Sequence, residues 1–382
     1  MHILMTVNAA WNIWNFRRPV FQALLRRGYR VTVLAPPDAS VPDLEAAGCR
    51  FIPLEMNAKG LNPVDGLSLV RQMERVFRSE APDIILSYTI KNNIFGAFAA
   101  KAAGIPFVPN VTGLGTAFLS GGLLQQVAEI LYRRAFRGLE TVFFQNQDDS
   151  ELFQRRRLVL PGQVRLLPGS GINLDHFAPA AYPGPDKQPV FLLIARLLRD
   201  KGVVEFVDAA RQVRADYPAA RFQLLGAIGA ENRTAIAQEE VRAWVEEGVI
   251  QYLGTVSDVR PIIRQAHCIV LPSYREGAPR TLIEAAAMGR PVITTDVPGC
   301  RAVVDRDISG FLCEVRNPYS LATAMTRFLA LSREEQQAMA GAGRAKMERE
   351  FSEKIVVQRY LEVIEAARLT PGQPGARKTV SA

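Results

Sequence analysis

Short, continuously apolar runs that recur with helical segments between them most constrain how this chain can fold. Ile3–Val7, Tyr29–Ala35, Phe51–Leu54, Ile84–Ser87, Phe107–Asn110 and Thr141–Gln145 each read as a strand that is apolar on both faces. Strands of that kind belong to a parallel sheet covered by helices on both sides. The Pro/Gly-rich stretch 178–186 breaks the pattern. The alternation then restarts with Val190–Ala195, Phe222–Gly226, Ile250–Tyr252, Cys268–Pro272 and Pro291–Thr295. The predicted fold class is therefore α/β, two doubly wound Rossmann-like domains facing a cleft. The expected division is residues 1–177, a linker at 178–188, and a second domain over 189–350. A helix over 351–368 is expected to pack back on the first domain, and the tail 369–382 lacks apolar periodicity and reads as disordered. A length of 382 residues suits two such domains.

Composition narrows the function classes. The net charge of +8 is spread along the chain rather than gathered in a basic block, which argues against a nucleic-acid partner. Cys49, Cys268, Cys300 and Cys313 stand alone, with no CxxC pair and no Cys/His metal spacing. No metal site is expected, and a reducing compartment, the cytoplasm, is the predicted location. The apolar start Met1–Val7 is too short for a signal peptide and lacks a basic leader. No apolar run reaches the roughly 18–20 residues that would span a bilayer. The expectation is a soluble protein that touches a membrane only at its periphery.

Doubly wound sheets bind ligands at the carboxyl ends of their strands, so the loops after strands are where chemistry is expected. In 271–284 a strand end, a Pro/Gly turn and a helix start follow one another. Glu276 lies in the turn, followed by Gly277, Ala278 and Pro279, and Glu284 lies about one turn inside the helix. Amide groups at a helix start favour anions, and a nearby carboxylate can accept bonds from sugar hydroxyls. Glu284 has Leu282, Ile283 and Ala285–Ala287 around it, an unusual setting for a solvated acid. After the first strand of the second domain, Arg196 and Lys201 are five residues apart on one loop. A forked guanidinium with a compact ammonium suits a diphosphate, although basic residues in such loops are as often merely solvated.

These segments, taken in order, resemble the retaining glycosyltransferases of the GT-B fold, in the large family-four group (glycosyltransferase group 1). The resemblance is carried by Ala195-Arg196-Leu197 with Lys201-Gly202, by Glu276-x7-Glu284, by Met288–Gly299, and by Pro168–Phe177 as the entry to an interdomain hinge. It implies a UDP-sugar donor, no cofactor and no required metal. Arg196 and Lys201 would hold the donor diphosphate and offset charge on the leaving UDP. Glu276 would face the donor sugar and Glu284 the ribose hydroxyls. Backbone around Gly277–Pro279 and Gly299–Arg301 would line sugar and phosphates.

The first domain would then bind the acceptor. Its segment 8–16, with Asn8, Trp11 and Trp14, is expected to be an aromatic acceptor-side loop. Lys91 and Asn92, and the segment with Thr112, Gly113 and Gly115, also follow strands. Together these resemble the branch that builds O-antigen, capsule and protein-linked glycans on polyprenyl diphosphate. Many family members carry a histidine near the donor sugar. Here His2, His176 and His267 sit in structural contexts, which leaves Lys91 or the 112–115 backbone in that place. Leu123–Leu139 reads as a core helix with Leu124, Val127, Leu131 and Ala135 on one face. Its Arg133, Arg134 and Arg137 also offer contact with an anionic membrane. The function implied is transfer of a hexose-type unit, N-acetylated or a deoxy amino sugar, to an undecaprenyl-diphosphate-linked saccharide. A nucleotide-sugar epimerase or hydrolase and a non-catalytic sugar-nucleotide-binding partner stay open as alternatives. A dinucleotide oxidoreductase fits worst, because no GxGxxG follows the first strand.

Overall fold

The structure is a computed structural model that describes every residue except 57–62, 115–121, 185–187, 230–231, 233 and 370–382. Gly115 and the expected tail from residue 370 onward therefore lie outside the described residues. The chain divides into two compact units. One contains 1–145, 149–167 and 354–382, and the other 146–148 and 168–353.

In the first unit the described strands are β1 (His2–Thr6), β2 (Arg30–Ala35), β3 (Arg50–Pro53), β4 (Ile84–Tyr88), β5 (Phe107–Val111), β6 (Val142–Phe144) and β7 (Val164–Leu166). They form a parallel sheet in the order β3-β2-β1-β4-β5-β6-β7. Each residue of β1, β4 and β5 is buried, as expected for strands with helices on both faces. Strand order reverses between β1 and β4, which pair in parallel with Ile3 opposite Ile84. That switch point opens a crevice at the carboxyl ends of β1 and β4.

In the second unit the described strands are β8 (Val190–Ile194), β9 (Arg221–Leu225), β10 (Gln251–Tyr252), β11 (Cys268–Leu271), β12 (Val292–Thr295) and β13 (Gly310–Cys313). Their order is β10-β9-β8-β11-β12-β13, again all parallel. Here the reversal falls between β8 and β11, so the loops after these two strands flank the crevice. Two expected segments thus land at a switch point for a topological reason.

Several features differ from the sequence expectation. The stretch after β1 forms two helices, Ala10–Phe16 and Arg18–Arg26, broken at Arg17. Pro19 lacks an N–H and its ring would clash with the carbonyl four residues back, so the helix has to restart. The segment 8–16, expected as a loop, is therefore mostly helical. In Gly122–Ala135 the inward residues are Ala128, Tyr132 and Ala135, whereas Val127 and Ile130 are 46% and 45% exposed. The unit boundary falls between Leu167 and Pro168 rather than at 178–188. Residues 178–184 lie on the second unit, where the buried Arg290 donates to the carbonyls of Ala180 and Ala181 at 3.0 and 2.8 Å. The strands β7 and β13 have no counterpart in the sequence reading.

The helix Glu353–Leu369 belongs to the first unit, although the second unit precedes it in the chain. Val356, Tyr360, Leu361 and Ile364 enter the core beside Met5, Leu86 and Phe143. The four cysteines are unpaired and buried. Burial pushes the thiols of Cys49, Cys300 and Cys313 up to about 12, so they stay protonated and make no nucleophile at neutral pH.

Candidate active site

In the second unit the loops after β8 and β11 are locked together by their backbones. Gly202 has φ +72°, and a Cβ there would lie 2.1 Å from the carbonyl oxygen of Pro272. Only glycine allows that approach. The Asp200 carbonyl accepts from Tyr274 N at 2.9 Å and from Ser273 Oγ at 3.1 Å. The outcome is side-chain contact between two residues 75 positions apart: the Lys201 ammonium forms an ion pair with the Glu276 carboxylate. Both side chains are largely buried, at 23% and 14% exposure. A pair this shielded keeps more of its electrostatic energy than a surface pair.

A third loop closes on the same turn. Gly299, with φ +80°, approaches so closely that a Cβ would meet the Glu276 carbonyl oxygen at 2.3 Å. Glu276 N donates to the Pro298 carbonyl at 3.3 Å, and Asn146 Nδ2 donates to the Gly277 carbonyl at 2.8 Å. The helix Arg280–Ala287 then starts at Pro279, whose side chain makes no cap. Such an end attracts anions.

Glu284 lies on this helix with 12% side-chain exposure and accepts from Arg280 Nε at 2.6 Å. Burial raises its pKa, with the Arg280 charge opposing. Arg196 is exposed, and its side chain has no partner among the described residues. The geometry thus joins Lys201 with Glu276, gives Glu284 to Arg280, and leaves Arg196 open. Among the described residues no group of three or more His, Cys, Asp or Glu could hold a metal ion.

In the first unit the sequence-expected residues fall into two groups. Asn8 is exposed and Trp11 is 52% exposed. Trp14 instead stacks on Phe21 with ring centroids 6.2 Å apart, and the Arg18 guanidinium lies over its ring at 4.2 Å. The two tryptophans share one helix turn and do different things, because Phe21 and Arg18 cover Trp14 and leave Trp11 exposed. Lys91 is half-buried on the helix Ile90–Ala103, and burial lowers its pKa. Asn92 is buried; its Nδ2 donates to Thr6 Oγ1 at 2.9 Å and its Oδ1 accepts from Thr89 Oγ1 at 3.0 Å. Its amide ties β1 to the β4 loop. Thr112 and Gly113 are half-buried just after β5.

The sequence reading missed a buried cluster beside these residues. Arg17 is 2% exposed and its guanidinium sits 4.5 Å from the centre of the Tyr88 ring. Tyr360 Oη accepts from Asn110 Nδ2 at 2.8 Å, and Asn93 Nδ2 donates to the Asn110 carbonyl at 2.8 Å. The one available signal was Arg17-Arg18-Pro19, which breaks a helix and turns a basic residue inward.

Known proteins bear on this geometry. The family model described as glycosyl transferases group 1 matches residues 188–330, and the glycosyl transferase 4-like domain matches 13–170. The chain belongs to the group 1 glycosyltransferases. The glycosyltransferase is 29% identical over 381 residues to the N,N'-diacetylbacillosaminyl-diphospho-undecaprenol alpha-1,3-N-acetylgalactosaminyltransferase of Campylobacter jejuni, covering 96% of this chain and 98% of that one. It is 26% identical to the UDP-Gal:alpha-D-GlcNAc-diphosphoundecaprenol alpha-1,3-galactosyltransferase of Escherichia coli, over 68% of this chain and 71% of that one. Among solved structures, Anabaena HepE in complex with UDP superimposes with a TM-score of 0.78 at 17% identity, covering 96% of this chain and all of that one. Sucrose-phosphate synthase from Thermosynechococcus elongatus gives 0.78 at 19% identity over 97% and 99%. These structures establish the GT-B fold for the glycosyltransferase.

Proposed function

We propose that the chain transfers a hexose-type unit, an N-acetylated or deoxy amino sugar, from UDP to an undecaprenyl-diphosphate-linked saccharide, with retention of anomeric configuration. The observation that carries the reading is the Lys201–Glu276 pair held at the switch point of the second unit. The names of the two relatives supply the acceptor class.

Lys201 and Arg196 take the donor diphosphate. Their charge offsets the negative charge that builds on the departing phosphate, so the reaction is independent of a metal. Glu276 accepts from hydroxyls of the donor sugar and stabilises positive character at the anomeric carbon. Glu284 accepts from the ribose hydroxyls, and the helix N-terminus at Arg280 adds to the anion site. The acceptor hydroxyl attacks as the sugar–phosphate bond breaks, and its proton passes to the leaving phosphate. No helix among the described residues is long and apolar enough to cross a membrane. Contact with the cytoplasmic face of the membrane is assigned to exposed Trp11 and to Val127 and Ile130 beside Arg133 and Arg134.

The test is a panel of UDP-sugars against polyprenyl-diphosphate-linked saccharides, with product analysis by mass and anomeric configuration. One sugar added with an α linkage from an α-linked donor is expected. UDP release or epimerisation that needs no acceptor overturns the reading in favour of a hydrolase or epimerase.

A further inference from the structure

A buried positive charge in the first unit has no anion among the described residues. Arg17 is 2% exposed, and its Nε and Nη1 have no hydrogen-bond partner. Its guanidinium lies over the face of Tyr88, 4.5 Å from the ring centre. A cation–π contact offsets only a small part of what it costs to dehydrate a guanidinium. The polar atoms grouped at the ends of β4 and β5 do not supply the rest. Among the described residues Ser87 Oγ, Asn93 Oδ1 and Asn110 Oδ1 are also buried without partners, and all are neutral. Burial and the neighbouring Tyr360 keep the Tyr88 phenol protonated, since both raise its pKa and only Arg17 opposes them.

The position of this charge is informative. Arg17 lies against the last residue of β4, at the switch point of the first unit. Tyr88 leads into Thr89, a non-glycine residue at φ +70° that opens the helix with Lys91 and Asn92. Asn110 leads into Val111, Thr112 and Gly113. Buried charges are usually paired, and natural chains remove those that serve nothing.

We propose that Arg17 is the positioning charge for the acceptor's diphosphate: the anion that the guanidinium lacks in the free protein arrives with the substrate. This rests on the lipid-linked acceptor proposed above. Arg17 acts through its field and through the Tyr88 ring it holds, since so little of it reaches the surface. A low-dielectric setting makes that field stronger than the same charge would exert in water.

The test compares wild type with Arg17→Met, which keeps an unbranched apolar stem and removes the charge, and with Arg17→Lys. For Arg17→Met, Tm is expected to equal or exceed that of wild type, because an unpaired buried charge is gone. Its kcat/KM for the lipid-linked acceptor is expected to fall about 10- to 100-fold, with the UDP-sugar KM unchanged, and Arg17→Lys is expected to recover part of the loss. Inorganic diphosphate, added with the donor site saturated by UDP, is expected to raise the Tm of wild type and not of Arg17→Met. That measurement needs no acceptor, so it stands even if the substrate reading fails. An acceptor kcat/KM for Arg17→Met equal to that of wild type overturns the proposal, as does an equal diphosphate shift in both proteins. A drop in Tm with donor and acceptor kinetics falling together assigns Arg17 to structure alone and also overturns it. If Arg17→Met does not fold, Arg17→Gln carries the same comparison.

Discussion

The two units place positive charge at their switch points in opposite ways. In the second unit Lys201 is paired with Glu276 and Arg280 with Glu284. In the first unit Arg17 is more deeply buried than any of these and has no anion among the described residues. The difference separates two routes to an anion site. In the proposed donor site the cations are paired before a ligand arrives. In the proposed acceptor site a charge is left for the ligand to complete.

Replacing Lys201 tests the first half of this contrast most severely. Lys201→Met leaves Glu276 without its cation and removes the charge assigned to the leaving diphosphate. A loss of about 10²–10³ in kcat is expected, the scale for one group that stabilises transition-state charge. The Lys201→Met/Glu276→Gln double variant is expected to be little worse than the poorer single one, since paired groups act as a unit. Single-turnover rates at saturating donor measure both. Near-normal turnover in Lys201→Met would make the pair a packing feature and dissolve the contrast.

A smaller effect is expected at Glu284. Its carboxyl takes up a proton more readily in the folded protein than in the unfolded chain, because burial raises its pKa. The folded state then binds more protons as pH rises through the ordinary carboxylate range, and stability from this group declines over that interval. Glu284→Gln should therefore match or exceed the wild-type Tm at neutral pH. Its UDP-sugar KM should rise about tenfold, the scale of one hydrogen bond to a charged acceptor. In wild type the donor KM should climb as pH falls, starting above the range of an ordinary carboxylate, and in the variant it should stay flat. Thermal melts and donor titrations across pH check both signs.

The smallest effect is expected at Tyr360→Phe, which removes the oxygen that accepts from Asn110 Nδ2. A loss of about 1 kcal/mol in unfolding free energy is expected. If Arg17 acts through Tyr88 and its neighbours, the acceptor KM should also rise a few-fold while the donor KM holds. An unchanged acceptor KM would limit Tyr360 to anchoring its helix.

Much of the donor side was legible because residue type and spacing act locally there. Lys201 and Glu276 each follow a strand, and parallel strands at a switch point bring such loops together whatever lies between. Trp14 and Arg17 were not legible in the same way. Trp14 shares a helix turn with Trp11, and only the packing of Phe21 and Arg18 separates their roles. Arg17 turns inward because Pro19 breaks the helix, and its surroundings come from β4 and from Tyr360. The latter lies 250 positions from Asn110, to which it bonds. Contacts at that separation leave no periodic trace. The strand β7 escaped notice for a related reason: two of its three residues are exposed, so it carries no continuous apolar run.

The helix Glu353–Leu369 gives the first unit a constraint in time. Its core includes Tyr360 and Ile364, which are made only after the whole of residues 168–353. Ribosomes add on the order of 5–20 residues per second, so the first unit emerges early and then waits, with the pocket for those side chains open, while the second is synthesised. The unit encoded first is finished last. A chain cut short within this final helix would lose the packing of the other end of the sequence, and its exposed β1 and β4 surroundings would be the place where a chaperone or protease finds it.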